Sequence, residues 1–444
     1  MPLSLSRGRI AGLLLVLLAA CVGHAGGPSA GSVSSSAIPD SVQIHRDIDI
    51  LASDSFDGRR TGTPGNDRAA MYLATRYAAL RLEATPGRSG KCAAGCADSY
   101  LLPITVYESM RDRPPAALPT NNLAGIIRGT DPAMRDQYVV IGAHFDHLGR
   151  STVGAMDPQA GDAIRNGADD NASGSAAVLA LARRLAQRPT RRPILVTHFS
   201  GEEEGLLGSA KFVDDPPIPL SSMVAMVNFD MVGRMRDDKV IVYGVATAAE
   251  MRAILDSANA PAPLKLTAVG DGFGPSDQSS FYSKDLPVLH FFTDSHEDYH
   301  RATDDADKIN VAGEVRIVDF AERAVRAIAD RPTRLTFTKA PASARAAASP
   351  STGSAYFGSI PDMGSSDEDG MRISGVSAGG PAEKAGLKGG DLIVEFGGKP
   401  VKNIYDYTDA IGAYKPGDTI NVVVLRGASR ERVELSVTLS RRGG

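Results

Sequence analysis

The chain is poor in thiols, nearly balanced in charge and without a long apolar run. No stretch of eighteen or more apolar residues occurs in its 444 residues, which excludes an ordinary membrane-spanning helix. Its 48 Lys and Arg against 52 Asp and Glu give a net charge of -4 with no basic run, so the electrostatic footprint of a nucleic-acid binder is missing. Only three cysteines are present, Cys21, Cys92 and Cys96. The pair Cys92 and Cys96 has neither two further thiols nor a histidine nearby, which argues against a zinc site there. In an oxidising export compartment a local disulfide between them, clipping one loop, is the favoured reading. No internal repeat is visible. What is present is ordinary: 43% hydrophobic and 23% charged residues supply a sizeable core and exclude a wholly disordered chain. At about 150 residues per domain the length suggests roughly three domains.

Arg7 and Arg9 precede an apolar run over residues 10–20 that ends in small residues at Cys21. A positive flank, a short apolar region and a small-residue exit read as a secretory signal over residues 1–20. Leu18-Ala19-Ala20-Cys21 also resembles a bacterial lipobox, which implies that Cys21 is lipidated, becomes the mature N-terminus and anchors the chain to a membrane. Residues 21–39 are then a Gly/Ser/Ala tether too poor in large apolar groups to pack. Val22, rather than Asp, after that cysteine resembles outer-membrane sorting. The expected location is therefore exported, periplasmic or cell-envelope, with the outer membrane favoured over the inner.

Over residues 40–331 apolar runs alternate with amphipathic segments. Tyr138-Val-Val-Ile141 and Ile194-Leu-Val-Thr-His-Phe199 are short, β-branched or aromatic and loop-bounded, as buried strands of a mainly parallel sheet are. Residues 173–188 carry Ala176, Val178, Leu179, Leu181, Ala182 and Leu185 on a helical face, and residues 315–328 carry a similar stripe. The expected fold is α/β, a mainly parallel mixed sheet flanked by helices, with its site at the carboxyl ends of the strands. Residues 332–351 are Ala/Pro/Ser-rich and read as a linker. Residues 352–444 read as a second, β-rich domain. In it Val433, Leu435, Val437 and Leu439 alternate with polar residues, and Thr419-Ile-Asn-Val-Val-Val-Leu425 is the expected partner strand.

Acidic and imidazole groups concentrate in five segments behind apolar runs. They are Gly142-Ala-His144-Phe-Asp146-His147, Gly167-Ala-Asp169-Asp170-Asn171-Ala-Ser173-Gly174, Ser200-Gly-Glu202-Glu203-Glu204-Gly205, Asn228-Phe-Asp230-Met231 and Asp298-Tyr299-His300. Taken singly, each has a structural reading: a satisfied loop histidine, a helix N-cap, a solvated acidic run or a turn aspartate. All five in this order are hard to explain as independent accidents. Zinc takes imidazole and carboxylate ligands, and strands that end on one edge bring the carboxylates that follow them to one crevice. Two metals sharing one bridging carboxylate would account for so many acids without matching Lys or Arg.

These segments, with Leu51-Ala-Ser-Asp-Ser-Phe-Asp-Gly58-Arg and Gly62-Thr-Pro-Gly65 before them, resemble the di-zinc aminopeptidases related to bacterial leucyl aminopeptidase. That family also holds glutamate carboxypeptidase and the secretory glutaminyl cyclases. The resemblance spans roughly residues 45–330 and implies the zinc-exopeptidase fold with two Zn²⁺ ions. It implies that His144 and Asp230 bind one zinc, Glu203 and His300 the other, and that Asp170 bridges them, joined to Asn171 by a cis peptide. Asp146 would accept a hydrogen bond from His144 and fix its tautomer. Glu202 would be the general base, taking a proton from the attacking water and returning one to the departing amine. His147, His290 and His296 stay open to substrate, supporting or structural roles, Glu204 reads as a solvated neighbour, and Gln278 stands where relatives often carry His.

The function so implied is an exported zinc metallo-aminopeptidase that removes N-terminal residues from peptide substrates. The alternatives are a carboxypeptidase or dipeptidase of the same family, a glutaminyl cyclase, and a non-catalytic peptide-binding scaffold. Cyclase relatives carry Ser after the bridging aspartate, where this chain has Asn171. Dead scaffolds lose ligands or the base, whereas His144, Asp170, Glu202, Glu203, Asp230 and His300 are all present.

Farther on, Gly379-Gly-Pro381-Ala-Glu-Lys-Ala385-Gly386 and Gly389-Gly390-Asp391-Leu-Ile-Val resemble a bacterial PDZ domain of the kind attached to periplasmic proteases. That resemblance implies that Tyr356-Phe357-Gly358-Ser359-Ile360 is a carboxylate-binding loop. Its backbone amides would cap the C-terminus of a peptide ligand while an edge strand pairs with it. The other reading is an accessory domain that only stabilises or positions the catalytic one.

Overall fold

Short β-branched and aliphatic runs become the strands of one sheet because both of its faces are covered. In the computed structural model the strands of the first domain are β1 (Glu83–Ala84), β2 (Leu101–Glu108), β3 (Ala116–Ile127), β4 (Tyr138–His144), β5 (Ile194–Phe199), β6 (Met223–Phe229), β7 (Lys239–Tyr243), β8 (Lys265–Ala268) and β9 (Val288–Phe292). Among the described residues they form a nine-stranded sheet in the order β1-β3-β5-β4-β6-β9-β7-β8, with β2 also paired to β3. The central strands β5, β4, β6 and β9 are mutually parallel. Antiparallel pairs, β3 with β5 and β7 with β9, bound that block on either side. The structure describes residues 40–86, 96–108, 116–339, 355–361, 370–376, 380–402, 406–407, 410–411, 413–427 and 429–441. The expected signal and tether, with Cys21, and Cys92 lie outside the described residues.

Every residue of β5, β6 and β9 is buried, as strands with helices on both faces must be. The period-two alternation sorts side chains between two layers. Val139 and Ile141 join the core with helices α1 (Asp40–Leu51), α2 (Pro64–Ala79), α3 (Gly174–Gln187), α5 (Met251–Asn259) and α7 (Val311–Ala329). Val140 joins the opposite core with α4 (Leu207–Asp214) and α6 (Gln278–Tyr282). The helix ends are set locally: the Thr63 hydroxyl accepts from the Asn66 N–H at the start of α2, and the Asn310 side chain accepts from the Gly313 N–H at the start of α7. None of the described helices is long and apolar enough to cross a membrane.

The expected linker over residues 332–351 is corrected at its start. Leu335 is buried, Phe337 packs on Tyr282, and the Thr336 N–H donates to Glu250 at 3.0 Å. Two large apolar side chains thus dock the chain on this domain through residue 339, and residues 340–354 lie outside the described set.

The second domain holds β10 (Ala355–Tyr356), β11 (Ser359–Pro361), β12 (Met371–Val376), α8 (Pro381–Lys384), β13 (Leu392–Phe396), β14 (Lys399–Pro400), β15 (Thr419–Arg426), β16 (Glu431–Thr438) and β17 (Ser440–Arg441). Its main sheet is antiparallel in the order β11-β12-β13-β15-β16. The two strands read from alternation pair as a hairpin, from Thr419 opposite Thr438 to Arg426 opposite Glu431.

Candidate metal centre and active site

Parallel strands that end on one edge deliver their next residues to one place. His144 is the last residue of β4, Glu202 and Glu203 follow β5, and Asp230 directly follows β6. Asp170 lies in the turn ahead of α3, and His300 in the loop after β9. His144 Nε2 lies 3.3 Å from Asp230 Oδ1 and 3.4 Å from Asp170 Oδ1. On the other side, His300 Nε2 lies 3.1 Å from Asp170 Oδ2 and 3.2 Å from Glu203 Oε2. Asp170 therefore turns one carboxylate oxygen to each histidine. Two donor sets result, His144 with Asp170 and Asp230, and His147 with Asp170, Glu203 and His300. The five residues expected as ligands are all brought together, and His147 joins them.

The donors fit zinc in type and in presentation. His300 Nδ1 is 2.9 Å from the Gly154 carbonyl and His144 Nδ1 is 3.2 Å from the Asp146 carbonyl. Carbonyls only accept, so each Nδ1 carries a hydrogen, and each Nε2 is left facing the carboxylates as the nitrogen that a metal among them would take. Burial alone would lower the His144 pKa, but Asp230, Glu202 and Asp170 raise it well above the usual histidine value. Burial is outweighed at His300 in the same way by Glu203 and Asp170. That surplus of negative charge around neutral-capable ligands is the field a divalent cation would occupy.

Asp146 differs from the expectation that its carboxylate binds His144. The carboxylate sits 3.8 Å from His144 Nδ1, farther than its own backbone carbonyl. It accepts instead from the Thr61 hydroxyl at 3.0 Å and from the backbone N–H groups of Glu202 and Glu203, each at 3.3 Å. Asp146 thus fixes the turn that carries Glu202 and Glu203, a role the residue spacing alone does not reveal.

The turn carrying Asp170 is tied down from several sides. The Asp170–Asn171 peptide is cis, as the resemblance implied. The Asp304 carboxylate accepts the N–H groups of Asp169 and Asp170. Asp169 accepts from Gly233 N at 2.7 Å and from Ser173 Oγ at 3.0 Å, and pairs with His296 Nε2 at 3.1 Å. This gives His296 a structural partner. His290 stacks on Tyr243 with ring centroids 5.4 Å apart, and burial pushes its pKa down to about 4, so it is neutral near pH 7.

Glu202 lines a pocket together with Asp170, Asp230 and His300, whose far wall is Met231, Tyr243, Pro275, His290, Phe292 and Tyr299. Burial pushes the Glu202 pKa well above the usual carboxylate range, the charges of Glu203, Asp230 and Asp277 add to this, and His144 opposes it. Glu204 is not solvated as expected: it pairs with Arg60 at 3.2 Å, and both side chains are mostly buried.

The sequence reading assigned no role to Arg59. This fully buried guanidinium donates to four carbonyls, of Phe145 at 2.7 Å, Leu51 at 2.6 Å, Asn166 at 2.6 Å and Gly167 at 2.9 Å. Burial lowers its pKa to about 10 against the pull of Asp170, Asp146, Asp304 and Glu203. Its only sequence signal is its place at the end of the early motif, residues 51–59. Cys96 is disulfide-bonded.

In the second domain Phe357 is a core residue, packed on Phe396 with centroids 5.0 Å apart. Its carbonyl accepts from Ala382 N at 2.8 Å. Ser359 Oγ is 2.7 Å from the Tyr407 hydroxyl, and Tyr356 pairs with Ser440. The side chains of Phe357 and Ser359 thus belong to the fold, Tyr356 enters it through strand pairing, and the side chain of Ile360 lies outside the described residues.

Residues 122–325 match the family model described as Peptidase family M28, and residues 361–437 match that of the PDZ domain. The chain carries an M28 peptidase domain followed by a PDZ domain. It is similar to a Leptosphaeria maculans protein named "Probable zinc metalloprotease", 30% identical over 186 residues, 42% of this chain and 40% of that protein. A "Probable glutamate carboxypeptidase" of Arabidopsis thaliana is 35% identical over 117 residues, 25% of this chain and 14% of that protein. A "Probable periplasmic serine endoprotease DegP-like" of Rhizobium meliloti is 36% identical over 75 residues, 17% of this chain and 15% of that protein. The chain thus spans less than half the length of these curated relatives.

Among solved structures, a Zn-dependent exopeptidase from Parabacteroides distasonis superposes with a TM-score of 0.52 at 16% identity, over 66% of this chain and 100% of that one. A glutaminyl cyclase from Bacteroides thetaiotaomicron superposes at 0.51 and 14% identity, over 64% of this chain and 97% of that one. These likenesses show that the M28 domain has the fold that exopeptidase and cyclase share.

Proposed function

We propose that the chain is an exported zinc metallo-exopeptidase of the aminopeptidase type, acting on peptides through two Zn²⁺ ions. The observation that carries this reading is the position of Asp170, whose two oxygens face His144 and His300 respectively, so that two donor sets meet on one residue. His144, Asp170 and Asp230 would hold one ion, and Asp170, Glu203 and His300 the other. Bound there, zinc would supply Lewis acidity toward a carbonyl and a water whose pKa is lowered toward about 7.

The chain's own groups do the rest. Glu202 takes a proton from the attacking water and hands one to the departing amine, a task that suits a carboxyl whose burial holds its pKa above the usual carboxylate range. Met231, Tyr243, Phe292 and Tyr299 form a largely apolar wall beside it that receives a side chain and excludes water. Asn171 in place of the Ser of cyclase relatives favours peptide hydrolysis. The N-terminal signal and lipobox motifs support export and a membrane anchor at Cys21, and the PDZ domain is read as a site for a C-terminal peptide.

The test is mass spectrometry of one peptide supplied free, N-acetylated and C-amidated to the purified protein with added Zn²⁺. Stepwise loss from the N-terminus, blocked by acetylation, is expected. Loss blocked by amidation would make it a carboxypeptidase. No cleavage of any form with both metals bound would support the cyclase or scaffold readings. Glu202→Gln should keep both metals and lose about 10²–10⁴-fold in turnover, and a near wild-type rate would remove Glu202 from the mechanism.

A further inference from the structure

His147 follows β4 closely and is fully enclosed. Its Nδ1 lies 2.7 Å from Glu203 Oε1 and 3.7 Å from Asp170 Oδ2. Its ring meets that of His300 edge-on, with centroids 5.5 Å apart. From behind, the ring rests on the backbone of Gly167, where any Cβ would come within 2.4 Å of His147 Cγ and the φ of +58° already disfavours other residues. The ring is therefore clamped in place against Glu203.

Its polarity is the reverse of that of the two ligand histidines. His144 and His300 give Nδ1–H to a backbone carbonyl and turn Nε2 to the carboxylates. His147 turns Nδ1 inward, and its Nε2 is buried without a hydrogen-bond partner. An ionised carboxylate only accepts, so the 2.7 Å contact requires the hydrogen on Nδ1. A backbone carbonyl holds the hydrogen of His144 and of His300 on Nδ1 and so frees their Nε2 for a metal, whereas no acceptor among the described residues holds a hydrogen on Nε2 of His147, so its Nδ1 keeps the hydrogen and stays the donor to Glu203. We infer that His147 is a positioning residue: it holds Oε1 of Glu203 by donating to it, and so aims Oε2, the oxygen beside His300, at the second metal position. This inference rests on the di-zinc reading.

The experiment strips the full-length protein with a chelator and titrates it with Zn²⁺ against a chromogenic competitor. Wild type should bind two ions. His147→Ala should weaken one of the two sites about 10–100-fold, the usual cost of losing a partner of a metal ligand, and leave the other unchanged. His147→Asn places an amide N–H where Nδ1 stands and should restore wild-type affinity, because positioning needs only the donor. His147→Gln places that group at the Nε2 position and should not.

Asn as weak as Ala or Gln would overturn the inference, since an imidazole would then be needed as a ligand. Unchanged affinity in the Ala variant would overturn it equally. If the Ala variant does not fold, the ranking of Asn above Gln decides. Fewer than two ions in wild type would instead refute the di-zinc reading, and the positioning role with it.

Discussion

Replacing Arg59 by methionine keeps most of the side-chain volume and removes every hydrogen bond the guanidinium donates. The Gly167 carbonyl keeps the Ala172 N–H, but those of Leu51, Phe145 and Asn166 lose the donor that Arg59 supplies. A buried carbonyl left without a partner costs about 1–3 kcal/mol, so three cost about 3–9 kcal/mol. Part is offset because the burial of a guanidinium, seen in its pKa of about 10, no longer has to be met. The lower part of that range is therefore expected, about 3–5 kcal/mol, against a usual total of about 5–15 kcal/mol. With an unfolding entropy of about 2.1 cal/mol/K per residue over a domain of this length, that corresponds to a fall in Tm of roughly 5–8 °C. Differential scanning calorimetry with and without Zn²⁺ measures it. The gain on adding Zn²⁺ should shrink as well, because the carbonyls that Arg59 holds flank Asp146 and precede Asp170. An Arg59→Met protein with Tm within 2 °C of wild type would refute this account and show the carbonyls to be satisfied in another way.

Three further outcomes are expected. Burial would raise the Asp298 pKa, but Lys308 at 2.5 Å, Thr303 at 2.6 Å and Arg234 at 3.2 Å hold it at about 2. Its contribution is then full above its unfolded pKa of about 3.9 and is lost as pH falls through about 2. Asp298→Asn should flatten the stability profile in that window, and acid titration followed by circular dichroism checks it. Gly167→Ala, whose Cβ would meet the Asp170 carbonyl at 2.0 Å, should lower Zn²⁺ affinity in competition titration more than it lowers Tm. Asp391 is buried and takes both Arg426 nitrogens at 2.7 and 2.8 Å. Asp391→Ala should therefore cost about 1.5–3 kcal/mol, seen as earlier unfolding of PDZ-domain signals in a thermal series while Zn²⁺ binding is unchanged.

The parts of the fold that could be read in the sequence are those where one local rule decides. Ile194–Phe199 is a strand as expected, because a short apolar run with both faces covered has no other stable form here. Helix α3 lies one residue inside each expected end. The five residues expected as ligands were singled out through the resemblance to the di-zinc aminopeptidases, and the fold brings them together because they lie at strand ends, ahead of a helix or in the loop after a strand on one side of the sheet. Arg59 was not legible, because its partners are backbone carbonyls up to 108 residues away in sequence, and a carbonyl has no residue identity to search for. The same holds for Asp146, where only geometry separates the carbonyl from the carboxylate at His144 Nδ1. The polarity of His147 depends on which ring nitrogen faces inward, which no spacing encodes. Leu335 and Phe337, by contrast, were readable apolar signals in a segment whose Ala, Pro and Ser content masked them.

The donors of the centre run from His144 to His300: one set is complete once Asp230 has been made, whereas the other waits for His300 in the loop after β9. On the di-zinc reading, a growing chain would therefore assemble its second metal position only when nearly the whole peptidase domain has been made, with α7 alone still to follow.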